Sequence, residues 1–520
     1  MKTINKISTF IICLLFTGAC TYESPYSPEE PTQGSADFTK MVAVGSSLSA
    51  GFMNGALYDD GQAASTMAIL ADQMKLVGGG DFNQPDIDSE NGYYGVAASM
   101  PPIPDGTILG RLYLKVTAGT DCLGTPKTPG LTPKIPGEVP GAFAGDKNEL
   151  NNFSGYGITI QTAQIPQLGG PPTTNPYYNA FYARFASNPG TSTLIGDAVN
   201  ALTDGSFFVF WLGADDVYAY ALNGADENDP TKPLTPNAPF DGAYEAAVNA
   251  LLDANANVSG AVANIPAITS LPYFSTVKWN QVVFLDCNPT DVGTVAALNG
   301  AGAYGGYNAA LDGLALGGAI TQTEADARKV VFHTGANSVA GANAVVIKDE
   351  TLPDLSAALG AINAGLAIFG QVRQATATDI ITLPAGSVLP LGVGVSPAAG
   401  FLADKYVVLP SEQTQIQESI DHFNATIAAT VAANSGRLVL VDANGAYNTI
   451  KTTSVTINGS TLTATIFPPN GAFSLDGAHL NARGSAYMAN EFIKAINAKF
   501  GSNIPLCNPN AFGGNELPVP

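Results

Sequence analysis

Short apolar runs that break off at Gly, Asp or Asn constrain this chain more than any other feature. They are "KMVAVG" (40–45), "FFVFWLG" (207–213), "AVANIP" (261–266), "VVFLD" (282–286) and "RLVLVDANG" (437–445). An unbroken apolar run leaves no face for water, so as a strand it must be covered on both sides, as strands of a parallel sheet are. Helical periods lie between the runs. In 412–435, Ile416, Ile420, Phe423, Ile427 and Val431 fall on one stripe, and "NSG" (434–436) stops it. "AYEAAVNALLDA" (243–254) repeats the pattern, and near 482–499 Met488, Phe492 and Ile496 share a face. This alternation predicts an α/β protein, a three-layer α/β/α sandwich around a mainly parallel sheet.

Two regions interrupt the rhythm. Residues 58–150 are rich in Gly and Pro without a sustained period, and 288–400 are rich in Ala and Gly, as in "ALNGAGAYGGYNAALDGLALGGAIT". Both read as insertions, either covering the C-terminal edge of the sheet, where open α/β folds place ligands, or forming surface loops and short helices.

The N-terminus reads as an export signal. Lys2 and Lys6 precede the apolar run Phe10–Phe16, and Thr17, Gly18 and Ala19 lead to Cys20. A charged start, a short apolar stretch and small residues make a secretory leader over 1–19, too short to span a bilayer. The cysteine after the small residues resembles a bacterial lipobox, although Thr17 stands where an aliphatic residue is usual. The resemblance implies lipidation at Cys20, an anchor in the outer membrane, and a periplasmic or cell-surface location. "TYESPYSPEEPTQGSAD" (21–37) lacks apolar periodicity, so 20–37 reads as a lipidated flexible tether ahead of a body at 38–504 and a tail at 505–520. With 46% hydrophobic residues the body can bury a large core. A formal charge of -21 argues against nucleic acid as a partner, because phosphate binding needs a basic stripe. Cys122, Cys287 and Cys507 remain beyond the leader; they fit no zinc spacing and allow one disulfide plus a free thiol.

Only three histidines are available as a general base. His422 lies inside the 412–435 helix and reads as a helix-surface residue. His333, in "VVFHTGAN", reads as a structural or loop residue. His479, in "SLDGAHLNARG", follows Asp476 by three residues. Within one turn that spacing lets a carboxylate accept one imidazole N–H while the other ring nitrogen faces outward, as activating a hydroxyl nucleophile requires. By itself D-x-x-H also fits a capping turn. Three further segments reach the same sheet edge: the serines of "VGSSLSAGF", the glycine turn "NNFSGYGIT" (151–159), and "GADD" (213–216) after a strand.

In that order the four segments resemble the blocks of the SGNH/GDSL hydrolase superfamily, whose sandwich is flavodoxin-like. "RFASNPGTSTLIGDAV" and "ARGSAYMANEFIKAIN" look like a lipoprotein branch from Bacteroidota-type bacteria. The resemblance covers most of 38–504 and implies a serine ester hydrolase, lipase- or acylhydrolase-like, working on lipid or acylated-glycan esters without a metal or organic cofactor. Ser47 would be the nucleophile, His479 the base and Asp476 its orienting carboxylate. The N–H groups of Ser47 and Gly157 and the side chain at position 215 would form the oxyanion hole, with Gly155 as a second candidate for the glycine. Two positions depart from the family. Ser46 stands where it has aspartate, and Asp215 stands where it has the hole's asparagine. An ionised carboxylate cannot donate to an oxyanion, and loss of one such donor costs about 10²–10³ in rate. Burial and the neighbouring Asp216 could keep Asp215 protonated and able to donate. The alternative is a non-catalytic lipid- or glycan-binding lipoprotein on the same scaffold.

Overall fold

The computed structural model describes residues 30–98 and 103–520. The expected leader, Cys20 and the expected tether up to residue 29 lie outside the described residues. Five short strands form the central sheet: β1 (Met41–Gly45), β2 (Asn152–Ser154), β3 (Phe207–Trp211), β4 (Ser259–Ala263) and β5 (Leu438–Val441). Their order in space is β5-β4-β3-β1-β2, and every pairing is parallel. All residues of β1 and β3 are buried, as their unbroken apolar runs require. The chain is therefore an α/β protein with a parallel five-stranded sheet.

The helices used below are α1 (Ser47–Ala50), α2 (Thr66–Lys75), α3 (Leu194–Leu202), α4 (Asp215–Ala221), α5 (Asn237–Asp253), α6 (Pro410–Ala433), α7 (Ala443–Thr452) and α8 (Ala482–Phe500). α3, α5 and α6 pack as one group, and α2, α7 and α8 as another. Local chemistry sets their ends. Pro410 opens α6, where Glu412 accepts the Leu409 N–H at 2.6 Å. Asn481 caps α8 through the Gly484 N–H, and Gly501 ends it at φ +64°. The stripe Ile416, Ile420, Phe423, Ile427 is buried along α6, as its spacing predicts. Among the described residues no helix is long and apolar enough to cross a membrane.

Three expectations change. "VVFLD" does not enter the central sheet; only Val282–Val283 is extended, paired antiparallel with Ala342–Asn343. Residues 58–150 are not wholly insertion, because α2 lies inside them and buries Met67, Leu70 and Met74 in the main core. Residues 288–400 are more than surface loops, since Tyr304, Tyr307, Phe332, Phe369 and Phe401 build a second, smaller core there. A disulfide between Cys122 and Cys287 ties the two regions together, with Cα atoms 6.0 Å apart, and Cys507 is free. The tail runs along the first insertion, where the Val519 N–H and carbonyl bond Leu114 and Val116.

The topology creates one crevice. The chain leaves β1 towards β2 on one side, then crosses back to β3 and continues to β4 and β5 on the other. Loops after β1 and β3 thus diverge, and ligands of open α/β sheets bind at such a switch point. Gly45 pairs with Trp211 and with Ser154, so Ser46–Ser47, Gly213–Asp215 and Gly155–Gly157 emerge side by side.

Candidate active site

The turn 474–479 carries the candidate base, His479. Asp476 Oδ1 accepts the N–H groups of Ala478 and His479, both at 2.9 Å, which curls the turn on itself. Its Oδ2 accepts the Gly55 N–H at 2.8 Å and lies 3.2 Å from His479 Nδ1. That last pair is close but off hydrogen-bond alignment, a looseness common in unliganded sites. Burial alone would raise the Asp476 carboxyl. The His479 charge and its bonds, with the two N–H donors of the turn, outweigh burial and hold it below the usual range. Asp476 is thus an ionised partner at neutral pH, as an orienting carboxylate must be.

The segment after Ser47 is laced to this turn. The Asn54 N–H bonds Ser474 Oγ at 3.0 Å, and Asn54 Oδ1 accepts the Leu475 N–H at 2.9 Å. Phe52 packs on the His479 ring with centroids 5.0 Å apart. Ser47 itself opens α1 directly after β1 and is 5% exposed. Among the described residues its hydroxyl has no hydrogen-bond partner, and no bond joins it to His479.

Asp215 sits opposite, at the start of α4. Burial pushes its carboxyl up to about 6, while the His479 charge, the Ser46 hydroxyl, Lys232 and the Gly157 N–H pull it back. The carboxylate thus feels groups from the other three sequence segments, although among the described residues no aligned hydrogen bond joins Ser46 Oγ or Asp215 Oδ2 to a partner. Asp216 and Asp215 oppose each other's ionisation, burial and then the Asp215 charge raising the Asp216 carboxyl, but Asp216 also has a structural part. Its carboxylate turns inward to accept the Ile160 N–H at 2.8 Å and the Thr235 hydroxyl at 2.9 Å. It locks the loop after β2 to the approach of α5, and burial pushes it up to about 7.

The two glycine candidates separate. The Gly155 N–H bonds the Gly45 carbonyl at 3.4 Å, extending the sheet ladder. The Gly157 N–H makes no sheet bond among the described residues and helps lower the Asp215 carboxyl, from a residue at φ +72° that favours glycine. Of the other histidines, His422 Nε2 lies 3.0 Å from both Asp241 oxygens and links α6 to α5. His333 Nε2 meets the Ala340 carbonyl at 3.1 Å on an exposed loop. Neither lies among the residues that meet at the sheet edge: His422, read as a helix-surface residue, is part-exposed on α6, and His333, read as a structural or loop residue, is exposed.

Sequence reasoning missed two features. The first is a set of buried polar atoms without an aligned partner among the described residues: Ser46 Oγ and Ser49 Oγ after β1, Asn152 Oδ1 and Ser154 Oγ on β2, with Asp215 Oδ2 and His479 Nδ1. Native interiors satisfy nearly all such groups, so the set stands out. The second is an aromatic frame of Phe52, Tyr94, Tyr156, Phe181 and Tyr273, of which only Phe181 lies in an aromatic-rich stretch, "NPYYNAFYARF" (175–185), whose rings suit acyl chains, sugar rings or plain core packing. Only the paired polar residues Asn151 and Asn152, odd for a strand, hinted at the first.

No family model, curated protein or solved structure matches this chain. What the fold and site define is an α/β protein with a buried carboxylate–imidazole pair, a serine turn and a second carboxylate meeting at a sheet switch point.

Proposed function

We propose that the chain is a serine ester hydrolase of the SGNH/GDSL type, a three-layer sandwich held on an outer membrane through lipid at Cys20. The observation that carries this reading is the Asp476–His479 pair, buried, curled into one turn and laced to the segment that follows Ser47. Ser47 Oγ attacks the ester carbonyl while His479 Nε2 takes its proton. The tetrahedral intermediate collapses to an acyl-enzyme, and His479 returns the proton to the departing alkoxide. Water, deprotonated by the same nitrogen, then releases the acid and restores Ser47. The Ser47 and Gly157 N–H groups receive the oxyanion, and Asp215 completes the hole only in its protonated form.

The test is labelling by a fluorophosphonate probe, with peptide mapping of the modified site. Labelling falls on Ser47 and disappears in Ser47→Ala and His479→Ala, which also lose turnover of p-nitrophenyl acetate. Absence of both labelling and turnover across a broad ester panel sinks the proposal. A second reading, a non-catalytic binder on the same scaffold, is favoured by Asp215 and by the missing Ser47–His479 bond, and that negative result is its signature.

A further inference from the structure

The rings around the catalytic turn point to a substrate class. Phe52, which covers His479, stacks on Tyr156 with centroids 4.5 Å apart and planes 16° apart. Phe181 closes edge-on against both rings. Tyr94, from the first insertion, fills the space over Gly55, whose N–H holds Asp476. Tyr273 donates its N–H to the Gly477 carbonyl at 2.9 Å and its hydroxyl to the Leu222 carbonyl at 2.7 Å. The Asp476 charge reaches the hydroxyls of Tyr94, Tyr156 and Tyr273.

Two of these residues are partly exposed, although burial raises both phenols. Tyr94 is 44% exposed and Tyr156 38%. The rim continues into Tyr177 and Tyr178, 53% and 37% exposed, on a segment tied to Tyr156 by the bond from Asn179 Nδ2 to its carbonyl at 2.8 Å. A phenol offers an apolar face and a polar edge, so it suits a ligand that is itself apolar on its faces and hydroxylated round its rim. A sugar ring has that build. An acyl chain gains most from aliphatic walls in a dry cavity, and the cavity of about 760 Å³ in the second insertion, walled by Val277, Phe284, Leu298 and Leu389, includes no residue of the catalytic turn. An anionic headgroup would approach Asp215 and Asp476, carboxylates in a chain already carrying -21.

Resting on the esterase reading above, we propose that Tyr94, Tyr156 and Tyr178 form a carbohydrate platform, and that the ester cleaved is an O-acyl group on a neutral glycan. The test separates binding from chemistry by using the full chain with Ser47→Ala, titrated calorimetrically with xylo-, manno- and cello-hexaose, plain and acetylated. At least one binds, and adding Tyr94→Ala or Tyr156→Ala weakens its Kd tenfold or more, while Tyr156→Phe retains binding. Circular dichroism and melting check that each variant is folded. Binding unchanged in both alanine variants overturns the platform. So does failure of all these sugars to bind while wild type still hydrolyses p-nitrophenyl acetate, which leaves the esterase standing. Wild-type preference for phosphatidylglycerol vesicles or long-chain esters over the acetylated hexaoses assigns the site to lipid and overturns it equally. Tyrosine-dependent sugar binding without any wild-type turnover keeps the platform and removes the esterase.

Discussion

Asp215→Asn is the substitution whose effect can be worked out most closely, because pH turns the defect on and off. The carboxyl is isosteric with the amide, and with its titration midpoint near about 6 only the protonated form donates. Half the wild-type molecules then carry the donor at pH 6, about a tenth at pH 7 and about a hundredth at pH 8, a tenfold step being about 1.4 kcal/mol. The asparagine variant carries the donor throughout. The ratio of variant to wild-type kcat should therefore be about 2 at pH 6, about 10 at pH 7 and about 100 at pH 8, levelling at the 10²–10³ that one missing donor is worth. Initial rates on p-nitrophenyl acetate from pH 5 to 9, taken for both proteins in one buffer series, give this ratio directly. Because the His479 charge acts on Asp215, the two groups titrate as a pair, and the ratio is read as the pH trend of that pair. A ratio independent of pH, or a variant no faster than wild type at pH 8, would refute the reasoning.

Two other perturbations test how the scaffold is held. Replacing both Cys122 and Cys287 by alanine opens a cross-link spanning 165 residues, for which chain entropy sets an upper figure of about 5 kcal/mol. Denaturant midpoints should fall by the equivalent of about 2–5 kcal/mol, and an unchanged midpoint would mean the insertions are held without it. Glu412 is buried, and burial together with the Glu350 and Asp404 charges raises its carboxyl against the pull of the Leu409 N–H. Asp404 is pushed up to about 7, again by burial first and then by Glu350 and Asp226. Carboxyls raised on folding make the native state bind more protons than the unfolded chain, so their contribution is full below about pH 4 and is lost as pH rises through 7 and beyond. Glu412→Gln keeps an acceptor for Leu409 and removes the charge; its melting temperature should rise by a few degrees at pH 8 and by less at pH 5, and a larger gain at pH 5 would contradict the sign.

The elements that could be read beforehand were those whose reason for existing is local. β1, β3, β4 and β5 are apolar runs, and α5, α6 and α8 carry their stripes within a single helix. β2 escaped because its burial is polar: Asn152 and Ser154 are buried, the Asn152 amide bonds the Ser49 carbonyl and Gln84, and the Asn151 side chain bonds the Met41 carbonyl at 3.0 Å. "VVFLD" misled for the opposite reason, since an apolar run feeding a second core looks the same as one feeding the first. At the site, Asp476 and His479 belong to one turn, so their partnership was visible in the spacing. The aromatic frame was not, because residues 52, 94, 156, 181 and 273 meet only once the sheet edge has gathered their loops. Three cysteines allowed three pairings, and only the fold brings Cys122 to Cys287.

Ser46 and Asp215 make more sense together than apart. Read singly, each is a departure from the resembled pattern, an acid lost at one position and an acid gained at another. In space the Ser46 hydroxyl lies against Asp215, and both Ser46 Oγ and Asp215 Oδ2 are fully buried without an aligned partner. Two carboxylates in that place could not both ionise without heavy cost, since neither would have water and each would oppose the other. A hydroxyl at 46 is thus the residue that an acid at 215 can tolerate, and the pair holds one acidic group in either arrangement. What differs is its position. On the esterase reading proposed above, an acid at 215 would serve the reaction only while it keeps its proton, whereas His479 must be free of its own, so the two requirements pull against each other in pH.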